Sequence, residues 1–188
     1  MSENVTKFFW IDSTHPSDTT RLRLSSERCG RYGADVDTVS EKKSQLRTEL
    51  RRWRRELGID EVARRSNLIC EALIEMATQL HPNVVMLFDS IKGEPVLDNF
   101  REWLMANDVA IVLPEDEPDP QVPDLVVVPG VAFTSIGHRL GQGGGWYDRF
   151  LPNINDRAAT IGVCFAEQVV DDLPQEPHDI VVHHVISA

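Results

Sequence analysis

Apolar positions recur at spacings of three and four through residues 38–57, where Leu46, Leu50, Trp53 and Leu57 share one face of a predicted helix. Thr38-x-x-Glu41 ahead of them has the form of a capping box, and Gly58 is read as the stop. A second helix is predicted from Asp60 to about Leu80, with Val62, Ile69, Leu73, Met76 and Leu80 on its buried stripe. His81-Pro82-Asn83 closes it. Short apolar runs then alternate with helical patterns. Residues 84–88, 109–113, 125–128 and 158–165 are predicted strands, and 180–186 an edge strand. A third helix has Pro95 in its first turn and Val96, Phe100, Trp103 and Leu104 on its buried face. A short helix carries Trp146, Phe150 and Leu151. This alternation predicts an α/β fold, three-layer α/β/α with a mainly parallel central sheet, Rossmann-like. Residues 1–37 lack periodicity apart from the patch Phe8-Phe9-Trp10-Ile11. They are read as an irregular N-terminal extension with one docking patch, leaving 38–188 as the α/β domain.

Composition narrows the class. The chain has 188 residues, enough for a substantial core, and its 41% hydrophobic and 26% charged residues suit a soluble globular protein. A net charge of −11 argues against a broad nucleic-acid or anionic-membrane surface but leaves room for a local basic pocket. Cys29, Cys70 and Cys164 are odd in number and share no CxxC spacing, which points to reduced thiols in a cytoplasmic protein. No run approaches a membrane span, and no secretory h-region is present at the N-terminus. The histidines show no zinc-ligand spacing. No nucleic-acid or membrane partner is expected, and the expected state is a monomer or weak homodimer.

The densest chemistry lies at 137–150, where five of the chain's eleven glycines fall. Taken alone, such a cluster reads as a tight loop between packed elements. Its position after the strand at 125–128 puts it beyond the carboxyl end of a parallel sheet, where ligands sit in folds of this kind. Gly141, Gly143, Gly144 and Gly145 allow close backbone approach, and inward N–H groups make an anion-binding concavity next to the start of a helix. Arg139 and Arg149 would supply positive charge, and Asp148 a hard oxygen for Mg²⁺. The loop is neither a Walker A loop nor a dinucleotide fingerprint. On the first helix, Lys43 and Arg47 are four apart and repel unless an anion sits between them, and Arg51, Arg52, Arg54 and Arg55 after them read as a solvated basic face.

The run Asp124-Leu-Val-Val-Val-Pro-Gly-Val-Ala-Phe133, with Gly137-x-Arg-Leu-Gly-x-Gly-x-Gly-x-Tyr-Asp-Arg-Phe-Leu151 after it, closely resembles the 5-formyltetrahydrofolate cyclo-ligase family. Flanking matches follow in order: Lys43-x-x-x-Arg47, Glu94, Leu113-Pro114, Ile161-Gly162, Phe165-Ala166-x-Gln168, Leu173-Pro174 and His178-Asp179. The resemblance implies ATP-dependent conversion of 5-formyltetrahydrofolate to 5,10-methenyltetrahydrofolate through a phosphorylated imidate, with ATP and Mg²⁺ as cofactors. It implies nucleotide contacts from Lys43, Arg47, Arg139, Leu140, Gly141, Gln142, Gly143, Gly144, Gly145, Trp146 and Tyr147. It makes Arg139, Trp146 and Tyr147 catalytic, gives the folate to Glu94, Gln142 and Trp146, and gives Mg²⁺ to Asp148 and Asp179.

The chain departs from the family pattern in three places. Trp146 replaces the first tyrosine of Tyr-Tyr-Asp, and Thr134 stands where an aspartate is usual. Only nine residues, 115–123, separate Pro114 from Asp124, where relatives carry a longer segment with a strand and a folate-contacting loop. The alternative reading is a nucleotide-binding paralogue or related ATP-dependent enzyme with a non-folate or altered substrate. A third is an interaction protein with an inert loop.

Overall fold

The computed structural model describes the backbone of residues 7–10 and the whole of residues 38–177 and 179–188. Thr38 starts the first helix as its capping box predicts: Thr38 Oγ1 accepts from Glu41 N at 3.2 Å, and Glu41 Oε2 accepts from Thr38 N at 2.7 Å. Helix α1 spans Val39–Glu56 and is closed by Leu57. Gly58 therefore does not stop α1; it stands at the N-cap of α2, Ile59–Leu80. His81 ends α2 in the left-handed conformation, φ 49°. Helix α3, Asp98–Ala106, begins later than predicted. Pro95 and Val96 lie ahead of it in a turn whose polar groups are taken up elsewhere, Pro95 O accepting from Ser90 Oγ at 2.6 Å and Val96 N donating to Ser66 Oγ at 2.9 Å.

The strands are β1 (Lys7–Trp10), β2 (Val84–Met86), β3 (Ala110–Val112), β4 (Leu125–Pro129), a short antiparallel pair β5 (Ala132–Phe133) and β6 (Arg139–Leu140), β7 (Ala159–Cys164) and β8 (His184–Ser187). All but β5 and β6 form one sheet, in the order β1-β8-β7-β4-β2-β3. Neighbours in it are parallel except β1, which pairs antiparallel with β8 in the register Lys7↔Ser187 to Trp10↔His184. The region 180–186 thus supplies a shorter strand than predicted, and not an edge. The edge is β1, drawn from the extension; four apolar and polar residues without periodicity could not be told from a docking patch. Ile11, the rest of 1–37 with Cys29, and His178 lie outside the described residues.

Strands buried on both faces read as continuous apolar runs, and β4 shows why. Leu125 and Val127 pack into a cluster with Ile69, Leu73, Phe100 and Leu104 of α2 and α3. Val126 and Val128 point the other way, to Phe133, Phe150 and Leu151. The three layers are uneven. Among the described residues, one face carries α2 and α3, and the other the five-residue α4 (Trp146–Phe150), the β5–β6 pair and short turns. Cys70 and Cys164 are buried free thiols, and burial raises both pKa values, as befits inert core cysteines.

Phe133 is the wedge of the thin layer. It is fully buried, and a Cβ at Gly162 of β7 would lie 2.3 Å from its Cε1, while one at Gly130 would lie 2.5 Å from its Cε2. Only glycine lets that ring sit between the two backbones. Gly162→Ala should cost about 1–3 kcal/mol of stability through overpacking; a urea midpoint equal to wild type would show that the ring has room to shift.

Candidate active site

Leu50 of α1 packs with Val131, Ala132, Leu140 and Leu173, which lays the helix across the hairpin that follows β4. The segment that carries the glycine loop leaves β4 at its carboxyl end, after Pro129. Gln168, fully buried, fixes its start: Nε2 donates to Val131 O at 2.8 Å and Gly130 O at 3.2 Å, while Oε1 accepts from Phe165 N. Thr134, at the position where aspartate was expected, is buried and accepts from His138 N at 3.1 Å. It holds the β5–β6 turn with a hydroxyl. Arg139, on β6, is thereby delivered to the loop.

The helix meets the loop through its cations. Lys43, buried, donates to Asp179 Oδ2 at 2.6 Å and Glu176 Oε2 at 2.8 Å. Arg47 Nε donates to Gly141 O at 2.8 Å. Arg51 donates from Nε and Nη2 to Gln142 Oε1, and from Nη2 to Gln142 O at 2.5 Å. Arg54, buried, lies 3.6 Å from Glu94 Oε1 and donates weakly to Gly130 O. The expectation of a solvated basic face after Arg47 is therefore corrected: Arg52 and Arg55 are exposed, but Arg51 and Arg54 belong to the site. Positions 43, 47, 51 and 54 continue one helical face, a spacing that carried the signal.

On the loop side, Arg139 Nη2 bonds Asp148 Oδ1, and the guanidinium lies over the Tyr147 ring at 5.5 Å. A Cβ at Gly141 would come 2.6 Å from Arg139 Nη1, so this glycine gives the guanidinium its space. Gly143 has φ 101° and Gly145 φ 67°, in the left-handed region that glycine favours, whereas Gly141 and Gly144 do not adopt it. Gly144 O accepts from Arg149. Trp146 stacks on Phe150, with centroids 4.6 Å apart, and meets Tyr147 edge-on. Glu94, buried, accepts from Gln142 Nε2 at 2.5 Å and from Ile91 N at 3.2 Å. The helix after the loop is only five residues, so its dipole is small and the positive charge comes from side chains.

Electrostatics follow from burial and pairing. Desolvation opposes the charge on Lys43, but its hydrogen bonds to Asp179 and Glu176, with their negative charge, outweigh it and raise its pKa. Desolvation, with Arg51 nearby, lowers that of Arg47 against the pull of Asp148, Asp179 and Glu176. The anions that offset the Lys43/Arg47 repulsion are thus partly the chain's own carboxylates. Burial raises the Tyr147 phenol's pKa well above its ordinary value, so the hydroxyl is a neutral donor. Tyr147 Oη, Arg139 Nε and Arg54 Nε are buried without a hydrogen-bond partner. Asp148 and Asp179 each meet a different cation, and among the described residues no group of three or more His, Cys, Asp or Glu is arranged to hold a metal.

Fold and site define an α/β protein with a cation-walled glycine loop in the segment that leaves the carboxyl end of β4. The model of the 5-formyltetrahydrofolate cyclo-ligase family matches residues 120–188, and the chain spans about a third of the length of the first curated relatives it matches. It is 39% identical to a 5-formyltetrahydrofolate cyclo-ligase of Mycolicibacterium smegmatis, an alignment covering 34% of this chain and 33% of that relative. Against the Haemophilus influenzae 5-formyltetrahydrofolate cyclo-ligase identity is 25%, over 78% of this chain and 98% of the relative. The solved 5,10-methenyltetrahydrofolate synthetase of Mycoplasma pneumoniae superposes with a TM-score of 0.68 at 26% identity, covering 74% of this chain and 94% of that one.

Because the Lys43 pKa is raised above the ordinary 10.5, the stability its ion pairs contribute is fully present below that pH and lost only as pH rises past it. Lys43→Met at pH 7.5 should therefore lower unfolding stability by about 1–3 kcal/mol in urea titration; wild-type stability would mean the pairs are not made in solution.

Proposed function

We propose that the chain converts 5-formyltetrahydrofolate to 5,10-methenyltetrahydrofolate at the expense of ATP, releasing ADP and phosphate. The observation that carries this reading is the meeting of one helix face with one glycine loop: Arg47 reaches Gly141 O, Arg139 pairs with Asp148 across the loop, and Lys43, one turn before Arg47, pairs with Asp179 and Glu176. Without ligand these acids and bases neutralise one another. Triphosphate oxygens would take the cations, and the two freed carboxylates are hard oxygen donors of the kind Mg²⁺ accepts one or two at a time alongside phosphate. The residues thus fit both groups, and the orphaned Tyr147 Oη and Arg139 Nε are donors without a partner facing this region. Mg²⁺ would supply charge neutralisation along the phosphates.

The chain's own residues then have distinct tasks. Lys43, Arg47 and Arg139 hold the phosphates and stabilise charge as the formyl oxygen attacks the γ-phosphorus, which breaks the bond to ADP and leaves a phosphorylated imidate. Leu140 to Tyr147 cradle the nucleotide, and closure of Trp146 and Tyr147 over the centre excludes water from that reactive ester. Glu94, Gln142 and Trp146 position the folate, so that N10 attacks the activated carbon and phosphate departs. The nine-residue connection at 115–123 favours a second reading, in which the same nucleotide half serves an altered organic substrate.

Purified protein with Mg-ATP and 5-formyltetrahydrofolate should develop methenyl-folate absorbance. Arg47→Ala and Arg139→Ala should each weaken ATP binding about tenfold or more, and Asp148→Asn should raise the Mg²⁺ requirement. ATP binding without methenyl product would select the second reading; unchanged ATP affinity in both arginine variants would overturn the phosphate assignment.

A further inference from the structure

Arg51, like Arg54, is a residue of this site that neither the loop pattern nor the family resemblance assigned. It lies one helical turn beyond Arg47 yet contacts a different part of the loop. Arg47 reaches the carbonyl of Gly141, whereas Arg51 grips Gln142 twice over: Nε and Nη2 converge on Oε1 at 3.0 and 2.8 Å, and Nη2 also reaches the backbone carbonyl. Pinning that oxygen settles which way the carboxamide faces. Its nitrogen then donates to Glu94 Oε1 at 2.5 Å, the same oxygen that Arg54 approaches at 3.6 Å. A charge-assisted, doubly anchored amide is a rigid spacer. One end is fixed to α1 and the other to the carboxylate proposed to recognise the folate.

We propose that Arg51 is a positioning residue for the organic substrate: acting through the Gln142 carboxamide, it sets the loop and the Glu94 carboxylate in register, while Lys43 and Arg47 on the same face serve the phosphates. The inference rests on the reading that Glu94 and Gln142 face the folate. The basic face of α1 is thereby divided along its length, phosphate at its amino end and organic substrate at its carboxyl end.

Steady-state kinetics on Arg51→Ala, Arg51→Lys, Gln142→Ala and the double variant Arg51→Ala/Gln142→Ala test it. Arg51→Ala should raise KM for 5-formyltetrahydrofolate about tenfold, with kcat and the KM for ATP changed less than about threefold. Gln142→Ala should likewise raise the KM for 5-formyltetrahydrofolate, and in that KM the double variant should be no worse than the worse single, because both remove one linkage. Arg51→Lys, which keeps charge but not the fork, should recover only part. Additive losses in the double variant, or a larger effect on ATP than on folate, would overturn the proposal. Hydrogen exchange of amides 141–145 without ligand gives a readout independent of turnover: it should rise alike in Arg51→Ala and Gln142→Ala. If wild type forms no methenyl product, the functional reading fails while this exchange comparison still decides whether Arg51 positions the loop; unchanged exchange sinks the positioning role.

Discussion

Lys43 and Arg54 are held almost out of water on one face of α1, and a buried cation is costly unless a carboxylate or carbonyl meets it. Much of the molecule is arranged to meet that demand. The segment before β8 brings Glu176 and Asp179 to Lys43, the glycine loop brings carbonyls to Arg47 and Arg51, and the turn after β3's partner strand brings Glu94 to Arg54. The helix that carries these charges is also tied by Leu50 to the hairpin that carries Arg139. One helix face therefore fixes three separate stretches of chain.

Such a closed set of ion pairs is a store of ligand-binding groups in neutralised form. Each cation proposed for phosphate already has a partner, so triphosphate binding is an exchange of partners in place of a desolvation of bare charges. The exchange is possible because the pairs are partly open to water at the acid side: the side chains of Asp148 and Asp179 keep 25% and 15% of their exposure, against 3% and 6% for Arg139 and Lys43. The cations stay fixed in the wall while the anions have freedom to turn to another charge. Behind the wall, Phe133 wedged between Gly130 and Gly162, and Gln168 bound to the Gly130 and Val131 carbonyls, keep the hairpin from following.

The sheet was legible because its strands are buried on both faces and read as unbroken apolar runs, while Thr38-x-x-Glu41 announced α1 by a local hydrogen-bond pattern. The late start of α3 was not, since the groups around Pro95 are satisfied by Ser90 and Ser66, partners thirty residues apart in the chain for Val96. Strand β1 was missed because four residues leave no period to measure. In the site, glycine clustering and the Lys43/Arg47 spacing marked the loop and its first cations. Arg54 was hidden among solvated arginines, because burial against Glu94 is a tertiary fact. The five-residue length of α4 likewise removed the helix dipole that the pattern suggested and left the work to side chains.

The central claim is that the loop activates a formyl oxygen by phosphorylation. Its most direct test is to supply 5-formyltetrahydrofolate labelled with ¹⁸O in the formyl group, together with Mg-ATP, and to analyse the inorganic phosphate by mass spectrometry. If the formyl oxygen attacks the γ-phosphorus and leaves with it, the phosphate released carries the label in step with methenyl-folate formed. Methenyl product accompanied by unlabelled phosphate would contradict the account.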